Sequence, residues 1–236
     1  MADLAILAYH KIGEPPAGTW TTWNYLPEAT FAAQLEILSE QGYTVVDMTA
    51  FLDGLEHPGS LPEHAALLTF DDGYASMLTV AQPCLARFGF PAVLFVPTDH
   101  VGGSNRFDQE NEPAEPICSW EQLRELQHRG ISIQSHGVSH RSFSELTAVE
   151  QATELRDSKN RLEETLDAPV EVFAFPYGDC GTDPEAVDNA MAKAGYQAGC
   201  LYKGGVVKLP TKTPYRLSRL AMGSDTDLAQ MLEARP

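Results

Sequence analysis

The chain is poor in positive charge. Its 236 residues carry 16 Lys and Arg against 33 Asp and Glu, a formal net charge of −17. Such a surface repels nucleic acid and anionic membrane, so neither is expected as a partner. A neutral or cationic ligand is easier to accommodate. No apolar run approaches the length of a membrane span. The first seven residues hold one acidic side chain and no basic one, and run straight into Tyr9-His10. That reads as a first buried strand rather than a secretion signal, and predicts a cytoplasmic protein, or an extracytoplasmic one if a leader has been trimmed. Cysteine is sparse: Cys84, Cys118, Cys180 and Cys200 form no Cys-x-x-Cys. A zinc knuckle and a redox pair are thereby excluded, and buried thiols are expected. There is no internal repeat and no linker able to split the chain, so residues 1–236 are read as one domain.

What is present is alternation. Hydrophobic residues make up 43% of the chain, enough for a large core. Short apolar runs at 4–9, 44–46, 65–70, 92–96, 131–135, 172–175, 197–201 and 217–222 read as strands. Between them lie helical patterns. Phe31, Leu35 and Leu38 make one stripe ended by Gly42, and Trp120, Leu123 and Leu126 another ended by Gly130. Residues 144–166 read as a long amphipathic helix with Leu146, Val149, Leu155, Leu162 and Leu166 near one face. Residues 183–194 end at Gly195. This pattern predicts an α/β fold with a parallel sheet, most simply a deformed (β/α) barrel of seven strands resembling a TIM barrel. Residues 11–27, with Trp20 and Trp23, and residues 102–116, which are polar and acidic, read as long loops of the functional kind.

Two motifs sit at strand ends. Thr69-Phe70-Asp71-Asp72-Gly73 closes one strand, and Ser135-His136-Gly137-Val138-Ser139-His140 closes another. In a parallel barrel these ends share one face, where barrel active sites lie. Zinc accepts imidazole nitrogen and carboxylate oxygen and, in catalytic sites, keeps a position open for water. His136, His140 and one aspartate supply three ligands, and the other aspartate is left as a general base. Asp-Asp-Gly alone is an ordinary turn sequence, and His-x-x-x-His recurs on surface helices. Their joint placement is what carries the reading.

On these residues the chain resembles the polysaccharide deacetylases of carbohydrate esterase family four, a chitooligosaccharide-deacetylase-like homology domain. Thr69 to Gly73 match the first family motif, and Ser135-His136 through His140 match the second. Ala174-Phe175-Pro176-Tyr177 matches the third in part. The resemblance implies a deformed barrel and a metal-dependent hydrolase that removes N-acetyl groups from an amino sugar, oligosaccharide or polysaccharide. It implies Asp71 as base, with Asp72, His136 and His140 as ligands of Zn²⁺, or of Co²⁺ or Ni²⁺. It also implies that the Tyr177 N–H helps hold the oxyanion. Pro176 and Tyr177 are then substrate neighbours, and Trp20 and Trp23 are candidates to stack on a sugar or to pin their loop.

The departures define the remaining questions. The third-motif arginine is replaced by Ala174, and no histidine follows residue 140, so the family's usual general acid is missing. The subgroup lacking it resembles the poly-N-acetylglucosamine deacetylases, which also carry Tyr-His on the first strand. His10 is the candidate acid, or a histidine that positions a neighbour. His100 is a weaker one. Arg219, in the last strand, is a candidate substrate contact, a support for Asp71, or half of a structural ion pair. Asp108 and Glu110 are candidate substrate contacts, and Tyr74 a helix cap. The alternatives are a hydrolase of a small amide, cyclic imide or O-acetyl ester, and a non-catalytic carbohydrate-binding barrel. A homo-oligomer is compatible with the sequence.

Overall fold

The computed structural model describes residues 2–16 and 23–233. Among them run strands β1 (Ala2–Tyr9), β2 (Lys11–Ile12), β3 (Tyr25–Leu26), β4 (Thr44–Val45), β5 (Ala65–Phe70), β6 (Ala92–Val96), β7 (Ile131–Ser135), β8 (Val172–Ala174), β9 (Ala198–Cys200), β10 (Val207–Leu209) and β11 (Leu220–Ala221). The helices are α1 (Glu28–Glu40), α2 (Met48–Glu56), α3 (Gln82–Phe88), α4 (Trp120–His128), α5 (Ala148–Leu166), α6 (Pro184–Ala194) and α7 (Leu228–Glu233). Several helix starts are written in local sequence. Ser119 with Gln122, and Thr147 with Glu150, form reciprocal capping boxes that satisfy otherwise orphaned N–H groups.

One sheet organises the chain, in the order β10-β1-β5-β6-β7-β8-β9, with β11 also on β1 and β4 also on β5. Every pairing in it is parallel except β10 on β1. The deformation comes from shared edges. The early half of β1 pairs with β10 at Ala2–Leu4, and its late half with β11 at Leu7 and Ala8. Likewise β4 takes the start of β5 and β6 takes its end. Leu217 bridges Cys200 in parallel, just before β11 joins β1, so one short segment ties the two edges of the curled sheet together. The result is the expected deformed (β/α) barrel.

Side-chain alternation then sorts the apolar residues. Leu4, Ile6, Leu67, Val93, Phe95, Val172, Ala174, Ala198, Cys200 and Leu217 fill the barrel interior. Ala5, Leu7, Tyr9, Leu68, Leu94 and Ile133 face outward against the helices, where Phe31, Leu35, Leu123, Leu155, Leu162 and Met191 meet them. Phe51 of α2 joins the interior group.

Several expectations need correction. Val149 is 77% exposed and does not belong to the buried stripe of α5. That helix starts at Ala148, and residues 143–145 form a separate 3-10 turn. The last strand shrinks to two residues, Leu220–Ala221. Cys84, Cys118 and Cys200 are buried as expected, but Cys180 is half-buried. Among the described residues no helix is long and apolar enough to cross a membrane.

Candidate metal centre

The inward parity of each strand continues past its end. Leu4 and Ile6 lead to His10, Ala65 and Leu67 lead to Thr69 and Asp71, and Gln134 on β7 leads to His136. These side chains therefore meet at one mouth of the barrel. Two further residues are brought in by backbone turns. Asp72 has φ 70° and His140 has φ 60°. Tyr177 on the facing loop has φ 58°. A left-handed conformation costs a non-glycine residue about 1–3 kcal/mol. Of the four described non-glycine residues with positive φ, three are at this mouth and the fourth, Asp167, caps α5.

Asp72 Oδ1 lies 3.2 Å from His136 Nε2 and 3.0 Å from His140 Nε2, and all three residues are buried. The three ligand atoms fall within 4.8 Å of one another. His136 Nδ1 donates to the Ala174 carbonyl at 2.7 Å, which leaves the Nε2 lone pair facing the centre. His140 is held by ring contacts, stacked on Phe107 with centroids 3.8 Å apart and edge-on to Tyr177. Burial works against charge on Asp72, yet the His140 and His136 rings outweigh it and hold the carboxyl well below its usual range. Burial also opposes charge on His136, but the two aspartates draw its pKa upward. Two imidazole nitrogens and one carboxylate oxygen, with excess negative charge, fit a divalent metal such as zinc.

The loop between the histidines is clamped from two sides. Glu154 accepts from the N–H groups of Val138 (2.6 Å) and Ser139 (3.0 Å) and from Ser139 Oγ (2.6 Å). Opposite, the N–H groups of Thr98 and Asp99 donate to the carbonyls of Gly137 and Val138, each at 3.0 Å. Gly137 has φ 83°, a conformation that strains any other residue, and a Cβ there would come within 2.9 Å of Glu154 Oε2.

Arg219 is fully buried, and its two terminal nitrogens each donate to one oxygen of Asp71 at 2.7 Å. Its Nε donates to the Leu201 carbonyl at 2.6 Å. It is fully buried on Asp71 and does not line the cavity, which corrects its assignment as a substrate contact. Burial alone would raise the Asp71 pKa, but the Arg219 guanidinium outweighs it and keeps the carboxyl below its ordinary value. His10 Nε2 lies 4.0 Å from Asp71 Oδ2, too far for a direct hydrogen bond. Burial pushes the His10 pKa down despite the nearby Asp72 and Asp71 charges.

A cavity of about 270 Å³ opens over these groups, lined by His10, Asp71, Asp72, His136, His140 and Tyr177, and beyond them by Asn24, Asp108, Asn111, Glu112, Tyr202 and Lys203. Tyr177 is half-exposed at its rim, and its hydroxyl donates to Asp108 Oδ1 at 3.4 Å. Burial, with Asp72 nearby, raises the Asp108 pKa. Pro176 is buried behind Tyr177 and does not line the cavity, which corrects its assignment as a substrate contact. Trp23 lines an adjoining groove, while Trp20 lies outside the described residues. Glu110 is exposed and off the cavity. His100 instead donates to the Ser139 carbonyl at 3.3 Å.

Sequence reasoning missed how the two long loops interlock. Lys11 is buried in an ion pair with Glu112, and its ammonium lies over the Tyr25 and Tyr74 rings at 4.8 and 4.7 Å. Tyr74 is thus a packing partner of Lys11 rather than a helix cap. Asn24 donates to the other Glu112 oxygen at 3.0 Å. Tyr202 was missed although a parity signal existed, two residues beyond inward-facing Cys200.

Comparison with known proteins finds relatives in sequence and in fold. YxkH of Bacillus subtilis (strain 168), named for a polysaccharide deacetylase, is 28% identical over 206 residues, covering 86% of this chain and 66% of its own length. The poly-beta-1,6-N-acetyl-D-glucosamine N-deacetylase of Escherichia coli (strain K12) is 29% identical over 181 residues, covering 62% of this chain and 26% of its own. The chain therefore spans just under two thirds of the first relative and about a quarter of the second. The Streptococcus pyogenes deacetylase PplD, solved in complex with acetate, superposes with a TM-score of 0.84 at 22% identity, covering 100% of this chain and 99% of its own, which shows a shared fold. The polysaccharide deacetylase family model matches residues 59–199, a span that runs from before Asp71 to beyond Tyr177, and the chain belongs to that family.

Proposed function

We propose that the protein is a metal-dependent hydrolase that removes N-acetyl groups from an amino sugar within an oligosaccharide or polysaccharide. One observation carries the reading: a buried Asp72-His136-His140 ligand set lies beside Asp71, a separate carboxylate held in place by Arg219. The relative named for poly-N-acetylglucosamine supports the substrate class.

Zn²⁺ is the metal proposed for Asp72, His136 and His140; when bound it would polarise the acetyl carbonyl and lower the pKa of a water. The chain's own residues supply the rest. Asp71 stays ionised because Arg219 faces both of its oxygens, and its Oδ2, the oxygen nearer His10, takes the proton of the attacking water. His10 Nε2 lies 4.0 Å from that oxygen and lines the same cavity, so it is the proposed relay that takes up the proton gained by Asp71 and passes it to the leaving amine. The Tyr177 N–H is the proposed donor to the oxyanion. The Phe107 and Tyr177 rings against His140 restrict water around the centre.

The test is acetate release from N-acetylglucosamine oligomers by the Zn²⁺-loaded protein beside Asp71→Asn. Release that vanishes in the variant is expected. No release from the oligomers, with metal bound stoichiometrically and small amides or O-acetyl esters cleaved instead, would reject the substrate class. Stoichiometric metal with no hydrolysis at all would leave a carbohydrate-binding barrel.

A further inference from the structure

Asp108, Asn111 and Glu112 come from one turn of the second long loop and line the catalytic cavity with the metal ligands. The Glu112 N–H donates to the Asp108 carbonyl at 2.9 Å, so the two carboxylates stand one helical turn apart. Phe107, just before this turn, stacks on the ligand His140 and ties the turn to the centre. Glu112 is firmly held. It is 8% exposed, and one of its oxygens pairs with the ammonium of Lys11, which is 2% exposed and seated over the Tyr25 and Tyr74 rings. Its other oxygen accepts from Asn24 Nδ2 at 3.0 Å. An ion pair buried this far is a poor fastener, because apolar residues of like volume hold a loop as well or better. What it provides and they do not is an ionised acceptor, fixed in the wall of the cavity.

Lys11 already balances the Glu112 charge, so a cationic ligand gains little there. Each carboxylate oxygen has given one of its two acceptor sites to a protein donor, and one remains on each. Such a group fits a neutral donor, and the hydroxyl is the common one on a carbohydrate. We propose that Glu112 is a specificity-determining residue, which accepts a hydrogen bond from a ring hydroxyl of the amino sugar whose acetyl group lies at the metal centre. Lys11 and Asn24 are its positioning residues. The assignment rests on the amino-sugar reading above. An ionised carboxylate only accepts, so a ring alkylated at that hydroxyl brings an oxygen without a proton against it and is refused. A small acetyl ester without hydroxyls draws nothing from the contact.

The experiment measures kcat/KM of the Zn²⁺-loaded protein for an N-acetylglucosamine trimer and for 4-nitrophenyl acetate, which presents an acetyl group and no hydroxyl. Glu112→Gln should lower the sugar-to-ester ratio by about ten- to a hundredfold, chiefly through KM for the sugar. A loss shared equally by both substrates marks a structural carboxylate and overturns the proposal, as does an unchanged ratio. Thermal unfolding verifies the fold of the variant. If Glu112→Gln does not fold, Asn24→Ala, which leaves the ion pair in place, should lower the same ratio by about threefold, and an unchanged ratio there overturns the proposal. Acetate release absent from every sugar rejects the deacetylase reading, and calorimetric binding of the trimer then decides the contact. Weaker binding to Glu112→Gln than to the wild type upholds it; equal or absent binding overturns it.

Discussion

Arg219→Met is the sharpest test of how this centre is built. The change keeps an unbranched, though shorter, stem and removes the charged guanidinium. Arg219 and Asp71 are both buried, and two 2.7 Å hydrogen bonds join them. Removing one partner of a buried pair leaves the other charge uncompensated, at a cost of about 3–5 kcal/mol. For a chain of this size each kcal/mol moves Tm by about 2–4 °C, so the drop should be about 6–20 °C. Urea unfolding of metal-free protein reads the same quantity without a contribution from bound zinc. Asp71→Asn alone should also destabilise, by stranding the guanidinium. The double variant should be less damaged than the sum of the singles, with a coupling of about 3 kcal/mol. The pH dependence has a definite sign. In the wild type the folded-state pKa of Asp71 is depressed, so the pair's contribution is present above the unfolded value of about 3.9 and is lost as pH falls through the folded value. Without Arg219, burial is opposed only by the His136 and His10 rings and raises that pKa, so acidification relieves the variant. The stability gap should narrow as pH falls from 7 toward 4. A loss below about 1 kcal/mol, with additive singles, would refute the view that Arg219 is the main counter-charge of Asp71.

Glu154→Gln should weaken Zn²⁺ binding by about 10- to 100-fold in a chelator competition, because an amide cannot accept from Val138, Ser139 N–H and Ser139 Oγ together. Zinc at about a thousand times its Kd should raise unfolding stability by about 4 kcal/mol, and chelation or His136→Ala should abolish that increment. Asp179 accepts from Ser142 Oγ and from the N–H groups of Ser144 and Gly181; partial burial opposes its charge, but the hydroxyl and N–H groups hold its pKa down to about 2. Its contribution is therefore present above the unfolded carboxyl pKa and lost between about pH 4 and pH 2, and Asp179→Asn should flatten that part of an acid-unfolding curve. Lys11→Met should leave the barrel folded but raise proteolytic nicking in residues 102–116, since Glu112 loses its ion-pair partner and keeps only the hydrogen bond from Asn24.

The sequence was most readable where two local rules agreed. Strand periodicity located β5, β6 and β7 to the residue, and parity carried that register onward to His10, Asp71 and His136. The same rule reaches Tyr202 and Arg219, but the strands before them are short and their apolar runs gave weaker registers. The role of Arg219 was one of several open readings, because its partner lies 148 residues away. Lys11 and Glu112, 101 residues apart, gave no signal beyond polar loop composition. Val149 failed for the opposite reason: an apolar residue at the second helical position fitted the period, and the turn of the chain at residues 143–147 left it facing water.

The left-handed backbone at Asp72, His140 and Tyr177 sets selection for persistence against selection for chemistry. At each of these positions glycine would adopt the observed φ without steric penalty. A library sorted only for heat resistance should therefore drift toward glycine at these three sites and shed the side chains that make the centre. Only a screen that also demands a working site will hold an aspartate, a histidine and a tyrosine where the backbone favours none of them.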